Sequence, residues 1–217
     1  MANYGIITGN CIDEMESMVN SGTKVDATIT DPPYGIDYEY DGYSDDFTTL
    51  KGMSSHFLTL AHELAPTTAI FAGVTTIDVW QYPSWRLAWV RPAGVNRSKW
   101  GFSCWTPIAV YGDDPYLKAG KGARSDVFID YRPKRPDNVD HPCVKPLTIM
   151  RWLIQRVCPD AKMVLDPFAG SCSTGIACLE FGINFVGIEI NEKYADIGRK
   201  RMEQASRQSV MFGNTTT

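Results

Sequence analysis

No apolar run in these 217 residues approaches the roughly 18 needed for a membrane-crossing helix, which excludes an integral helical membrane protein. The opening MANYGIITGN has neither a basic start nor an apolar core segment, so nothing marks it for secretion, and a cytoplasmic protein is expected. Only three histidines are present (His56, His62, His141), in no ligand-like cluster, and no metal is expected. The six cysteines, Cys11, Cys104, Cys143, Cys158, Cys172 and Cys178, include no CxxC pair and read as small, mostly buried thiols. An excess of one charge sign is missing too: the net charge is −4. The remaining composition, 44% hydrophobic and 21% charged, is that of a globular chain of one domain.

The charges are unevenly placed. Residues 1–85 carry 2 Lys/Arg against 12 Asp/Glu, residues 86–135 carry 10 against 4, and residues 136–217 carry 9 of each. A local basic excess on an acidic protein suits a face that meets phosphates, although a solvated loop region gives the same count. Short apolar runs alternate with helix-length stretches. VDATIT (25–30), AIFAGV (69–74), WRLAWV (85–90), PIAVYG (107–112), MVLD (163–166) and NFVGIE (184–189) have strand composition. Helices are predicted over 48–64, 147–157, 173–182 and 192–207, the second from Met150, Leu153, Ile154 and Val157 at helical spacing. Alternating strands and helices favour an α/β fold whose mostly parallel sheet is covered on both faces. WRLAWV and PIAVYG follow one another without a helix, so one of the two should run antiparallel. Residues 35–49 and 113–140 show no periodicity and read as loops, and the tail after Ser206 as frayed.

Three elements carry the chemistry. Asp31-Pro32-Pro33-Tyr34 directly follows VDATIT, at a strand's carboxyl end, where ligands of parallel sheets bind. Paired prolines hold the chain stiffly extended and leave their carbonyls free as acceptors, beside a carboxylate and an aromatic ring. An exocyclic amino group on a base calls for that set. Its lone pair is delocalised into the ring, and two fixed acceptors on its N–H bonds localise the pair on nitrogen. Alone, the tripeptide is equally a proline turn with Asp31 as a cap. The second element, Asp166-Pro167-Phe168-Ala169-Gly170-Ser171, lies between a strand and a helix, the layout of a nucleotide-binding turn. The third is Glu189, closing the next strand 19 residues after Gly170, the spacing of a carboxylate that takes a ribose hydroxyl pair. No GxGxxG is present, so a dinucleotide pyrophosphate is not indicated.

VDATITDPPYG (25–35), HPCVKP (141–146), VLDPFAGSCSTGIA (164–177) and FVGIEINEKY (185–194) together resemble the β-group of DNA amino-methyltransferases, with the catalytic segment ahead of the cofactor segment as in that group. The resemblance covers about residues 5–205. It implies a Rossmann-like methyltransferase fold, with a seven-stranded, mostly parallel sheet, one antiparallel strand and helices on both faces. It also implies S-adenosylmethionine over Asp166, Gly170 and Ser171, with Phe168 near the cofactor and Glu189 on its ribose. His141 and Lys145 approach the methionine carboxylate, and Asn10 and Cys11 approach the adenine moiety. Asp31 and the Pro32 carbonyl take the target N–H bonds, Pro33 completes the rigid turn, and Tyr34 stacks on a base flipped out of duplex DNA. Two departures fall on the cofactor side: Cys172 stands where the group usually has a second glycine, and Asn10 where it usually has aspartate.

The aspartate of Asp31-Pro32-Pro33-Tyr34 points, within that resemblance, to N6 of adenine; the alternatives are N4 of cytosine, an RNA base, or a binding homologue with little turnover. Target recognition is expected in the short region 113–140, where Arg124, Arg132, Lys134 and Arg135 are candidate DNA contacts. A region this short reads few bases or needs a second copy, making a homodimer a candidate assembly. The tyrosine-rich segment 35–43 is either a cover for a flipped base or an ordinary flexible loop.

Overall fold

The computed structural model describes residues 2–40, 43–93, 96–98, 100–131 and 143–213. One eight-stranded sheet organises them. Its strands are β1 (Tyr4–Thr8), β2 (Ala27–Thr30), β5 (Thr68–Phe71), β6 (Trp85–Val90), β9 (Trp105–Tyr111), β10 (Val127–Ile129), β11 (Met163–Asp166) and β12 (Asn184–Glu189). The order is β1-β12-β11-β2-β5-β9-β6-β10. Every pairing is parallel except those of β9 with β5 and β6, so PIAVYG is the reversed member of the expected pair. The six strands read from the sequence are present, β1 makes up the seven that the resemblance implied, and β10 adds an eighth at the edge.

Two small hairpins flank the sheet: β3 (Tyr38–Tyr40) with β4 (Tyr43–Asp45), and β7 (Asn96–Ser98) with β8 (Gly101–Ser103). Residues 35–49 are therefore not simply a loop. They hold the first hairpin and the start of α2 (Phe47–Leu64), whose N-cap Asp46 accepts from Thr49 N at 2.8 Å. Region 113–140 likewise contains α3 (Pro115–Lys118) and β10. The chain also has a first helix, α1 (Cys11–Asn20), begun by Asn10, whose side chain accepts from Ile12 N at 2.8 Å.

Strands covered on both faces explain the short apolar runs. In β5, Ala69 and Phe71 face one core with Ile149, Leu153, Val164 and Phe185, beneath α4 (Leu147–Val157), α5 (Ser173–Glu180) and Met202 of α6 (Glu192–Gly213). Between them, Ile70 faces the other core, with Met15 of α1 and Leu50, Phe57 and Leu64 of α2. α2 ends at Leu64 because Pro66 disfavours helical backbone in its predecessor, and Ala65 is extended at φ −140° and ψ 141°. α6 runs six residues past the predicted Arg207, to Gly213.

Cys172, at the N-cap of α5, is left-handed at φ 59°, a backbone that suits the glycine expected there and costs a side-chain-bearing residue roughly 1–2 kcal/mol. Its side chain is fully buried, and the space comes from α6: a Cβ on Gly198 would lie 2.6 Å from Cys172 Sγ. An interior helical Gly→Ala change ordinarily stabilises by about 0.5–1 kcal/mol. Gly198→Ala should instead lower stability by about 1–3 kcal/mol through overpacking, and Cys172→Gly in the same chain should restore most of it. Urea unfolding of the two single variants and the double variant checks the reversal of sign.

Candidate active site

β2 and β11 are neighbours, so the loops leaving their carboxyl ends emerge side by side. A buried carboxylate locks them together. Asp166, 2% exposed at the end of β11, accepts from Thr30 Oγ1 of β2 at 2.7 Å, from Thr174 Oγ1 of α5 at 2.6 Å and from Phe168 N at 3.1 Å. Burial raises its pKa to about 6 against these bonds, which lower it. Thr30 immediately precedes Asp31, so the clamp fixes the start of Asp31-Pro32-Pro33-Tyr34. The far end is fixed as well: Thr76 Oγ1 donates to Tyr34 O at 2.7 Å, and Gly35 N donates to buried Asp45 of β4. Gly73 admits this packing, since a Cβ there would lie 2.6 Å from Thr76 Oγ1 and 3.3 Å from Tyr34 Cβ.

Within the turn, Tyr34 Oη donates to Asp31 Oδ1 at 2.8 Å, and Lys145 Nζ bonds Asp31 Oδ2. Lys145 Nζ lies 5.5 Å from the centres of both the Tyr34 and Phe71 rings. Arg91, at the end of β6, stacks 4.0 Å over Trp89 and donates to Thr106 Oγ1 at 2.6 Å. Burial lowers its pKa, opposed by the nearby Tyr34, Asp130 and Asp31.

Glu189 organises the second loop. Its Oε2 accepts from Gly170 N and its Oε1 from Asn191 N, each at 2.9 Å, while its carbonyl accepts from Gly9 N at 3.0 Å. Burial raises its pKa against the backbone donors. One cavity is lined by Gly9, Asn10, Cys11, Asp31, Pro33, Cys143, Lys145, Asp166, Phe168, Gly170, Ser171, Glu189, Ile190 and Asn191. A lysine, an acidic residue at a strand end, a left-handed Gly170 at φ 49° and the apolar Phe168 and Ile190 in one cavity suit an amino-acid nucleoside. Pro32 is buried behind the turn.

Most of the residues read from the sequence thus line one cavity, with Pro32 and Tyr34 in the turn beside it, and with four qualifications. Asp166 lines the cavity, but its carboxylate is spent on Thr30, Thr174 and Phe168. Lys145 lines it too and bonds Asp31. His141, Arg132, Lys134 and Arg135 lie outside the described residues. Arg124 stands elsewhere: its guanidinium donates to Gln155 O at 2.7 Å and Arg156 O at 2.5 Å, at the end of α4 remote from Lys145, and lies 3.6 Å over the Tyr116 ring. It staples α3 to α4 at the opposite end of the sheet from Asp31, which removes it from the candidate DNA contacts. Sequence reasoning missed Thr76, Asp45, Arg91, Cys143, Ile190 and Asn191. Of these, only Ile190 and Asn191 carried a local signal, directly after the strand-closing glutamate.

A mostly parallel sheet with one reversed strand near its edge, and two adjacent strand-end loops around one cavity, defines a Rossmann-like methyltransferase fold. The chain belongs to the DNA methylase family, whose model matches residues 72–200. DNA adenine methyltransferase YhdJ of Escherichia coli (strain K12) is 27% identical over 257 residues, covering 94% of this chain and 84% of the relative. Type II methyltransferase M.HpaI of Haemophilus parainfluenzae is 23% identical over 238 residues, covering 91% and 74%. Among solved structures, the M1.HpyAVI–SAM complex superposes with a TM-score of 0.69 at 22% identity over 92% of this chain and 98% of the other. PvuII DNA methyltransferase (cytosine-N4-specific) gives 0.69 at 13% identity over 96% and 93%.

The Asp166 clamp gives a pH-dependent prediction. A carboxyl whose folded pKa is raised from 3.8 to about 6 contributes stability that is present below pH 4 and lost as pH rises through 6. The full span is about 3 kcal/mol. Asp166→Asn keeps an acceptor for Thr30 and Phe168 and never ionises. Its denaturant-unfolding free energy should therefore lack that decline and exceed the wild type's above pH 7; parallel pH profiles would refute the assignment.

Proposed function

We propose that this chain transfers a methyl group from S-adenosylmethionine to the exocyclic N6 of adenine in duplex DNA, acting on a base flipped out of the helix. The observation that carries this reading is that Asp31 and Pro33 of the β2 turn share one cavity with Lys145, Gly170 and Glu189. Glu189 would hold the cofactor's ribose hydroxyls, Lys145 its carboxylate, and Phe168 and Ile190 its adenine ring beside Asn10 and Cys11. The cofactor supplies an electrophilic methyl on a sulfonium centre; as the N–C bond forms the methyl's bond to sulfur would break to leave a neutral thioether, and the proton shed by the nitrogen would pass by way of Asp31 to solvent. Asp31 and the Pro32 carbonyl accept the two N–H bonds of the target amino group and localise its lone pair, and Tyr34 offers a flat face to the base. Flipping costs a few kcal/mol, which stacking and these hydrogen bonds offset. Alignment of nitrogen and methyl provides the main rate gain. No covalent enzyme intermediate is needed, and four of the cysteines are poor nucleophiles: burial raises the thiol pKa of Cys11 and Cys158 to about 12 and those of Cys172 and Cys178 further.

The decisive assay is transfer of labelled methyl from S-adenosylmethionine to unmethylated genomic DNA, followed by nucleoside mass spectrometry. N6-methyladenine is expected. N4-methylcytosine would overturn the choice of base, and no product with cofactor bound would overturn the reaction. Asp31→Ala should lower transfer by about a hundredfold or more, the scale of removing one preorganised polar contact, with cofactor binding largely retained. Tyr34→Ala should cost about 1–3 kcal/mol in the DNA step through lost stacking. Tyr34→Phe should lose only the bond to Asp31, about 0.5–1.5 kcal/mol. Single-turnover rates on one duplex separate the three.

A further inference from the structure

The reversed direction of β9 places an element on the catalytic face that the cofactor and the turn at Asp31 do not use. β6 and β9 are joined at that face by residues 91–104, which carry the β7–β8 hairpin. Its height follows from register. Phe71 pairs with Ile108 and Ile108 with Leu87, so Leu87 is level with the strand ends from which Asp31 emerges. Val90 is three residues further on, about 10 Å higher at roughly 3.3 Å per residue, and the hairpin continues from there. Sideways, β6 is three strands from β2, about 14 Å at roughly 4.8 Å per strand. That offset is close to the width of the DNA major groove, about 12 Å. The link that carries the hairpin therefore leaves β6 and enters β9 beside the Asp31 pocket, at a distance one duplex can span.

Its chemistry suits nucleic acid. From Asp78 to Asp113 the sequence has Arg86, Arg91, Arg97 and Lys99 and no acidic residue between. Ser98 pairs with Gly101, which puts Trp100 at the tip with its whole side chain exposed; Phe102 is 73% exposed and Trp105 40%. Lone exposed apolar residues are ordinary. Trp100 and Phe102 on the hairpin, Trp105 at the start of β9 beside it and a local sequence with Arg97 and Lys99 and no acidic residue together form the pattern of a base-stacking platform.

We propose that the β7–β8 hairpin enters the target duplex and that Trp100 stacks in the space a flipped base leaves. The proposal rests on the DNA-methylating reading above and assigns a DNA-positioning residue outside region 113–140. Inserting an aromatic wedge compensates for the stacking lost on flipping, so its effect is largest where the target base is well paired.

The test uses the full-length chain, a duplex carrying a methylated site found by sequencing, and 2-aminopurine at the target position as a flipping reporter. Trp100→Ala should weaken duplex binding by roughly five- to 150-fold, the range for one stacked base, and suppress the fluorescence rise. S-adenosylmethionine binding should be unchanged, which controls for folding. Trp100→Phe should recover most of the loss, and mispairing the target adenine should shrink the defect to a few-fold. Wild-type affinity and flipping in Trp100→Ala would overturn the proposal, as would an equal defect on paired and mispaired targets. A change in sedimentation with unchanged DNA affinity would overturn it too, placing the hairpin between copies of the chain. Wild-type protein that binds cofactor and methylates no base would overturn the reaction instead. In that event the hairpin is still judged by duplex affinity: a loss in Trp100→Ala supports it and no change overturns it.

Discussion

A carboxylate with almost no solvent contact lies where β2, β11 and α5 converge, and the arrangement of the site follows from how it is satisfied. Asp166 gathers one hydroxyl from the strand that leads into the Asp31 turn, one from the helix behind the glycine loop and one amide from its own turn. A buried ionisable group with three donors is costly to misplace, because any shift leaves a polar atom unpaired. The half of the site that would handle the base and the half that would hold the cofactor are thus referenced to one atom group. Glu189 repeats the device a strand away, tying the loops at Gly9, Gly170 and Asn191 to one side chain. In both places an acidic residue at a strand end aligns backbone before it meets any ligand.

What could be read from the sequence divides along the range of the forces involved. VDATIT, MVLD and NFVGIE are strands because both their faces are buried, a property that short apolar runs display directly. Met150, Leu153, Ile154 and Val157 announced α4 by spacing, and all four are buried. β10 gave no such sign. Val127 to Ile129 are three residues whose strand geometry comes from pairing with Ala88 to Val90, nearly forty positions away. The β7–β8 hairpin is similar: Asn96 to Ser103 do not alternate in polarity, and the pairing of Val90 with Trp105 brings the two arms together. α1 was also missed, although Cys11, Ile12, Met15, Met18 and Val19 recur at helical spacing and face the core; of them only Met15 is fully buried.

The candidate site was more legible than the fold around it, since its residues sit in short contiguous segments at strand ends. Asp31 to Tyr34, Asp166 to Ser171 and Glu189 each announce themselves locally, and the sheet order brings them together. Arg124 shows the limit. In sequence it is one cation in a basic stretch, and only the descent of β9 reveals that residues 113–126 turn at the far end of the sheet, where Arg124 meets the carbonyls of Gln155 and Arg156. Thr76 and Asp45 were invisible for a related reason. Each acts on the Asp31 turn through hydrogen bonding to its backbone, and neither a lone threonine nor a lone aspartate in a loop marks such a bond.

The reversal of β9 has a consequence for how such a chain can change. Parallel neighbours must be joined by crossovers packed on the sheet, so lengthening one disturbs a core. β6 and β9 are joined end to end beyond the sheet with no crossover packed on it, and a longer loop there costs little closure entropy. The junction at Arg91 and Cys104 works as a graft point: residues beyond it can be lengthened, shortened or exchanged without moving Asp31, Asp166 or Glu189. The surface presented beyond β6 and β9 can therefore diverge while the turns at Asp31, Asp166 and Glu189 stay fixed within one small domain.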